Sequence, residues 1–347
     1  MYHIFIVFIL LIIFNALNKK SLIHVGVLML AYMFSTRPMD IPDTEIYLRD
    51  FENPYEDFIA ASLEPGFWSL NVLFGDILHI SFSQFFFVIT FFLMELWYYT
   101  TKKLLPYGKL GYCFLIFMSY NGFFYVGVTL RNAISLIISY YAVSLLLIEG
   151  KVKYVKYVCV IIVAFLFHRS ALLFLILPLF LFFKLSSNLI RRWLVLDVIM
   201  LVLGGFISDL GSHYISSPVG GLDKYEETLT VEGSGSSLVS IWFIMNLMVT
   251  CIIVRWRQYV NVEVIKLYDI FFIISMIGFS VNCIAWNLGI IQRLAGAFYF
   301  FNFIPLYLIA FHSDYLRFKK QKMLFANAVS VFCFIVLLYC QSFMIYY

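Results

Sequence analysis

Three arginines stand where a merely solvated charge has no reason to be. Arg131 sits between Thr129-Leu130 and Asn132-Ala133, inside about forty mostly apolar residues. Arg169 lies between Leu166-Phe167-His168 and Ser170-Ala171-Leu172, and Arg293 between Gly289-Ile290-Ile291-Gln292 and Leu294-Ala295-Gly296. A charge at the edge of a long apolar run needs a partner or a function. The guanidinium is a planar fork of donors that matches phosphate oxygens in pairs. Taken together, Arg131, Arg169 and Arg293 point to an anionic ligand, with diphosphate the best fit. For each one singly, pairing with a loop carboxylate or snorkelling to lipid headgroups is the structural alternative.

His168 adjoins Arg169 at the end of an apolar run. An imidazole titrates near neutrality and can take a proton from a sugar hydroxyl, so His168 is the first-choice base. The alternative is a hydrogen-bonded structural histidine. Glu64 and Asp43 are the next candidates, and Glu45 is a further hydroxyl-binding carboxylate. Tyr47 or Trp68 can stack on a sugar ring, and Arg49, set among carboxylates, is a weaker contact. A solvated acidic loop is the alternative for this group. Arg37 reads as the anchor of a helix end. Glu95, Asp197 and Asp269 fall within or near apolar runs, where pairing or snorkelling explains them.

The elements that must hold these groups follow from composition. Of 347 residues, 63% are hydrophobic and 13% charged, and the mean hydropathy is +0.92. The apolar residues come in repeated runs of roughly 15–20, matching a ~30 Å hydrocarbon core at 1.5 Å per helical residue. The runs lack the alternation of barrel strands. The expectation is an all-α, polytopic membrane helical bundle forming one membrane domain over residues 1–347. About twelve spans are expected, near 2–17, 21–37, 83–100, 109–124, 131–148, 154–168, 170–185, 193–209, 237–254, 267–284, 294–311 and 323–341.

Charge sets the orientation. Eighteen cations fall on one set of connections and six on the other: Arg37, Arg49, Arg131, Arg169, Lys224 and Arg293. The larger set is expected in the cytoplasm. Both termini and the two long segments, near 38–82 and 210–236, are then extracytoplasmic. Thirteen of the eighteen inner cations are lysine and five of the six outer ones are arginine. Lysine suits a solvated topological charge, whereas arginine suits recognition.

The first outer segment carries nine acids between Asp40 and Asp76. Phe67, Leu70, Phe74, Ile77 and Leu78 recur there at helical spacing, as in an amphipathic helix lying in the membrane interface. The second holds Asp223-Lys224-Tyr225-Glu226-Glu227 and then Gly233-Ser234-Gly235-Ser236-Ser237, a flexible stretch suited to a lid. Cys113, Cys159, Cys251, Cys283, Cys333 and Cys340 lie in or beside apolar runs without C-x-x-C spacing, and are expected unpaired. No metal-ligand cluster, phosphate-binding glycine loop or dinucleotide fingerprint is present, so no metal or cofactor is expected. No basic tail or stripe suggests nucleic acid.

The pattern resembles the EpsG-like family of Wzy-type polysaccharide polymerases. The residues that carry the resemblance are Asp43-Thr44-Glu45-Ile46-Tyr47, Glu64-Pro65-Gly66-Phe67, Leu130-Arg131-Asn132-Ala133-Ile134 and Phe167-His168-Arg169-Ser170-Ala171-Leu172. Lys224-Tyr225, Gln292-Arg293-Leu294-Ala295 and Tyr299-Phe300 complete the set. The family's arginine motif usually continues with glutamine, where this chain has Asn132. The resemblance implies a glycosyltransferase of O-antigen, capsule or exopolysaccharide biosynthesis in the bacterial plasma membrane. Its substrates would be oligosaccharide repeat units on undecaprenyl diphosphate, joined at the outer face. Membrane lipids, and a chain-length regulator and flippase of the same pathway, would be its partners. Arg131, Arg169 and Arg293 would then hold the diphosphate, while Glu45, Tyr47, Arg49, Trp68, Lys224 and Tyr225 would contact sugar. A lipid-linked oligosaccharide flippase is the alternative from another class, and an O-antigen ligase or membrane O-acyltransferase the alternative enzymes.

Overall fold

The computed structural model describes residues 21–39, 41, 43–55, 64–105, 108–147, 153–182, 184–215, 241–284, 289–316 and 318–344. For 205, 207–215, 241–242, 289–293 and 337–344 it describes the backbone alone. The described residues are helical, apart from turns and one isolated bridge between Val260 and Ser313. Two compact units divide the chain: 1–178 with 323–347, and 179–322.

In the first unit α1 (Ser21–Ser35) packs along α4 (Phe82–Leu104). Between them in sequence come two short helices, α2 (Thr44–Glu52) and α3 (Pro65–Asn71), the latter running on into a wider turn over Val72–Ile77. Ser81 caps α4 by accepting from the Gln84 amide, while the Gln84 side chain accepts from the Ser81 amide. That reciprocal pair satisfies donors that a helix start leaves open. A long apolar helix, α5 (Leu110–Gly127), follows and is mostly buried. Then α6 (Leu130–Leu145) packs on α7 (Lys153–Phe165). A tighter helical stretch, Arg169–Ile176, returns against both α6 and α7 and runs on into the short α8 (Leu177–Phe180).

The second unit is built on α9 (Ser187–Ile215), α10 (Ile241–Trp256), α11 (Ile265–Ile284) and α12 (Gly289–Tyr299). Helix α11 packs on each of the other three. Arg257 closes one end with a bidentate pair, its Nε and Nη2 each 2.8 Å from a carboxylate oxygen of Asp269.

Helices stand at every expected run from 21–37 onward; the run 2–17 lies outside the described residues. Among the described residues, four helical stretches are, by length and composition, long and apolar enough to cross a membrane: Phe82–Leu104, Leu110–Gly127, Val262–Ile284 and Leu294–His312. Such stretches belong to an integral membrane protein. The expected number of twelve is not shown. Leu130–Leu145, for example, has 16 residues, about 24 Å of helix against a ~30 Å hydrocarbon core. The expected interfacial helix near 67–78 forms, but its faces differ from the pattern. Phe67 is buried, and so is Asn71, which donates to the Asp50 carbonyl across 3.3 Å. Leu73, Ile77 and Leu78 are exposed. The widened turn after Asn71 rotates the later residues off the register that a regular helix would give.

Candidate active site

The site begins with Gly66. Its amide donates to the carbonyl of Leu166 across 2.8 Å. A Cβ at this position would stand 2.9 Å from that same oxygen, so only glycine permits the approach. Pro65 opens α3, where a missing amide costs nothing. Glu64, the residue before it, is thereby carried toward the turn that follows α7.

That turn is Leu166-Phe167-His168. The His168 amide donates to the Ala164 carbonyl, and the Ser170 amide donates to His168 Nδ1 at 3.3 Å. Ser170 Oγ lies 2.8 Å from Nδ1 and donates to Asn132 Oδ1 at 3.2 Å. Ser135 Oγ of α6 donates to the His168 carbonyl at 3.3 Å. The imidazole is thus fixed to both neighbouring helices, with Nε2 pointing to Glu64 Oε1 at 3.8 Å. That separation is too long for a direct hydrogen bond.

Arg131, in the first turn of α6, reaches the other carboxylate oxygen: Nη1 lies 3.0 Å from Glu64 Oε2. The pair is a charge contact without hydrogen-bond geometry, and Oε2 is buried with no hydrogen-bond partner. The Arg131 guanidinium also lies 5.3 Å from the Tyr47 ring centroid and 5.8 Å from that of Phe67. Tyr47 is 2% exposed. Its ring is a wall between cations, and burial pushes its phenol up to about 12.

Electrostatics set Glu64 and His168 apart. Burial pushes the Glu64 carboxyl above its ordinary value, while the charges of Arg131 and Arg169 pull it back. Burial, with Arg131 and Arg169 adding to it, lowers the His168 imidazole to about 4. A neutral imidazole beside an ionisable carboxylate is the resulting state at neutral pH.

The structure therefore brings together Glu64, Arg131, His168 and Tyr47, with Arg169 near enough for its charge to act on two of them. Arg169 itself is exposed at the start of the Arg169–Ile176 turn. Asp43 precedes α2 with a left-handed φ of 65°, and its charge acts on Arg37 and Tyr47, not on His168. Glu45 is exposed on the first turn of α2. Arg49 is exposed and pairs with its neighbour Asp50 at 3.3 Å. Trp68 donates from Nε1 to the Pro54 carbonyl at 2.7 Å and lies edge-on to Tyr55. Arg293 is on α12 in the second unit, with its side chain outside the described residues, as are Lys224 and Tyr225 entirely.

Asn132 and Ser170, which enter the sequence pattern only as motif neighbours with no role of their own, tie the two arginine-bearing turns together. Each directly follows a singled-out arginine, and that repeated arginine–small-polar pair is the signal that points to them. The sequence pattern also undervalued Arg37. The Arg37 guanidinium lies 4.0 Å over the Phe86 ring and 5.6 Å from Tyr47, on the same aromatic wall as Arg131.

The EpsG family model matches residues 21–347. No curated protein and no solved structure matches the chain. The match spans every residue of the Glu64–Arg131–His168 cluster and nearly the whole length, and the chain belongs to the EpsG family, a Wzy-like polymerase family.

Proposed function

We propose that the protein polymerises lipid-linked oligosaccharide repeat units for a surface polysaccharide. In this reading a glycan leaves its polyprenyl diphosphate carrier for a hydroxyl of the next carrier-linked unit. The observation that carries it is the half-buried Glu64 carboxylate, with its Oε2 fully buried, set between Arg131 and His168. The acceptor oxygen attacks the anomeric carbon, its proton passes to Glu64, and the bond from that carbon to the diphosphate breaks. Arg131 and Arg169 meet the negative charge that develops on the leaving diphosphate. Glycosyl diphosphate chemistry supplies the energy, so no nucleotide is used.

The ion pair couples binding to basicity. A diphosphate that draws Arg131 toward itself removes the charge that holds the Glu64 carboxyl down. Burial then raises it further and makes Glu64 the better base. His168 stands beside that carboxylate, Nε2 3.8 Å from Oε1, and a weakly basic, neutral imidazole there suits a polar neighbour better than a proton acceptor. The outer face of the bacterial plasma membrane is the setting that the arginine-rich connections favour. Labelling of single cysteines at 40–65 but not at 102–109, by an impermeant reagent on intact cells, is the expected result.

Deletion of the gene tests the function. A polymerase defect leaves single repeat units on the surface acceptor and no longer chains. A flippase defect leaves no unit exported at all. Long chains persisting in the deletion strain would remove the proposal.

A further inference from the structure

Arg37 lies just beyond α1, and one of its nitrogens is occupied: Nη1 donates to the Gly127 carbonyl across 2.6 Å. Gly127 itself makes room for the Phe34 ring, from which a Cβ there would stand 2.6 Å. The other two nitrogens, Nε and Nη2, are buried and have no hydrogen-bond partner among the described residues. They form one edge of the guanidinium, the edge that grips two oxygens side by side. Arg257 shows that edge satisfied in the same chain, with Nε and Nη2 on the two oxygens of Asp269. A charged donor pair left open in a buried place is costly unless a ligand completes it.

The surroundings say what the ligand is. Phe86 and Tyr47 present aromatic faces to Arg37, and neither gives a hydrogen bond to its Nε or Nη2. Asp43 acts on it only through its charge. Arg49 and Asp50 pair with each other. Among the described residues, the guanidiniums of Arg37, Arg131 and Arg169 are then set against the carboxylates of Glu64 and Asp43, one positive charge in excess. An anion with paired oxygens meets both the charge and the fork.

We propose that Arg37 is a second phosphoryl-binding arginine of the Glu64–Arg131 site, taking a phosphoryl group on its Nε–Nη2 edge. The proposal rests on the reading of that site as one for a diphosphate. Arg37 and Arg131 lie against the same Tyr47 ring, 5.6 and 5.3 Å from its centroid. A diphosphate can therefore place one phosphoryl group at each arginine, and the Tyr47 ring is the group it displaces.

The test is pyrophosphate binding by calorimetry to the full chain in phosphatidylcholine nanodiscs. Arg37→Lys keeps the cation over Phe86 and can still reach the Gly127 carbonyl, but it loses the fork. It should weaken binding by about ten- to a hundredfold, as Arg131→Lys does. Wild-type affinity in Arg37→Lys beside weakened Arg131→Lys overturns the assignment of Arg37 and leaves the diphosphate site standing. A wild-type protein that ignores pyrophosphate overturns both. If Arg37→Lys is not recovered folded, Phe86→Leu removes the ring that sets the guanidinium plane and should weaken binding severalfold; unchanged affinity overturns the proposal. Nanodiscs containing phosphatidylglycerol separate the phosphoryl sources. Unchanged pyrophosphate affinity there assigns the fork to the substrate's diphosphate. A loss that Arg37→Lys abolishes assigns it to a lipid headgroup, and either result supports phosphoryl binding at Arg37.

Discussion

The Gly66 amide donates to the Leu166 carbonyl across 2.8 Å, and this one backbone bond holds the Glu64 segment in register with the turn that ends in His168. It also explains why an acidic residue, a proline and a glycine occur in that order. Glu64 supplies the carboxylate, Pro65 starts the helix, and Gly66 gives room for the contact.

Gly66→Ala should therefore damage the site without touching a reacting group. The added methyl meets backbone atoms of Leu166 at 2.9 and 3.0 Å, which cannot turn aside as a side chain can. Overpacking of this kind costs about 1–3 kcal/mol, and the cheapest relief is to move Glu64 away. Chain elongation should fall at least about tenfold with membrane levels near normal. A glycan ladder beside an immunoblot of the membrane fraction checks this, and full activity would contradict it.

The two candidate bases should separate by pH. Glu64 is held above the ordinary carboxylate value and His168 near 4. The acid limb of the rate profile should lie above the ordinary carboxylate pKa and survive in His168→Gln. Glu64→Gln should abolish it and lower the rate by about 10²–10⁴-fold, the usual worth of a general base. If His168→Gln instead removes the limb and matches that loss, the histidine is the base.

Stability should carry the His168 signature in the opposite direction to a histidine charged in a salt bridge. Its imidazole falls from 6.5 to about 4 on folding, so the folded state binds fewer protons than the unfolded one. The contribution is fully present above the unfolded value and is lost as pH falls through the folded one. The melting temperature in detergent should drop as pH is lowered from 6.5 toward 4, and less so in His168→Gln. Equal slopes would show that the imidazole is not held neutral by the fold.

Arginine should act at position 131 as a fork and not only as a charge. Arg131→Lys keeps the cation yet loses bidentate geometry. Loss of one charge-assisted hydrogen bond is worth roughly 1.5–3 kcal/mol, or about ten- to a hundredfold in rate. Arg169→Lys should cost less, because the exposed Arg169 acts on Glu64 and His168 through charge. Lys320→Ala, exposed and remote in the sequence from every site segment, should be silent in the same ladder assay.

Much of this was legible in the amino-acid order, because membrane helices write themselves as long apolar runs. The arginines at 131 and 169 stood out since charge is rare there, and the pairing with Glu64 makes physical sense of that rarity. The Gly66–Leu166 contact was not legible: it joins residues 100 positions apart, and a hydrogen bond between main chains leaves little mark on side-chain pattern. Tyr47 misled for a related reason. An aromatic residue in a polar loop suggests a sugar platform, but here two guanidiniums and the Phe67 and Phe86 rings enclose it. Arg37 looked like a helix-end anchor because its open donors appear only once Gly127 and Phe86 are in place.

The most direct measurement is turnover by the purified protein in liposomes, supplied with repeat units on a polyprenyl diphosphate. Glycan chains longer than one unit and release of one polyprenyl diphosphate for each linkage formed are expected, both lost in Glu64→Gln. Chains made equally well by Glu64→Gln, or repeat units moved across the bilayer with no linkage formed, would contradict the proposed reaction.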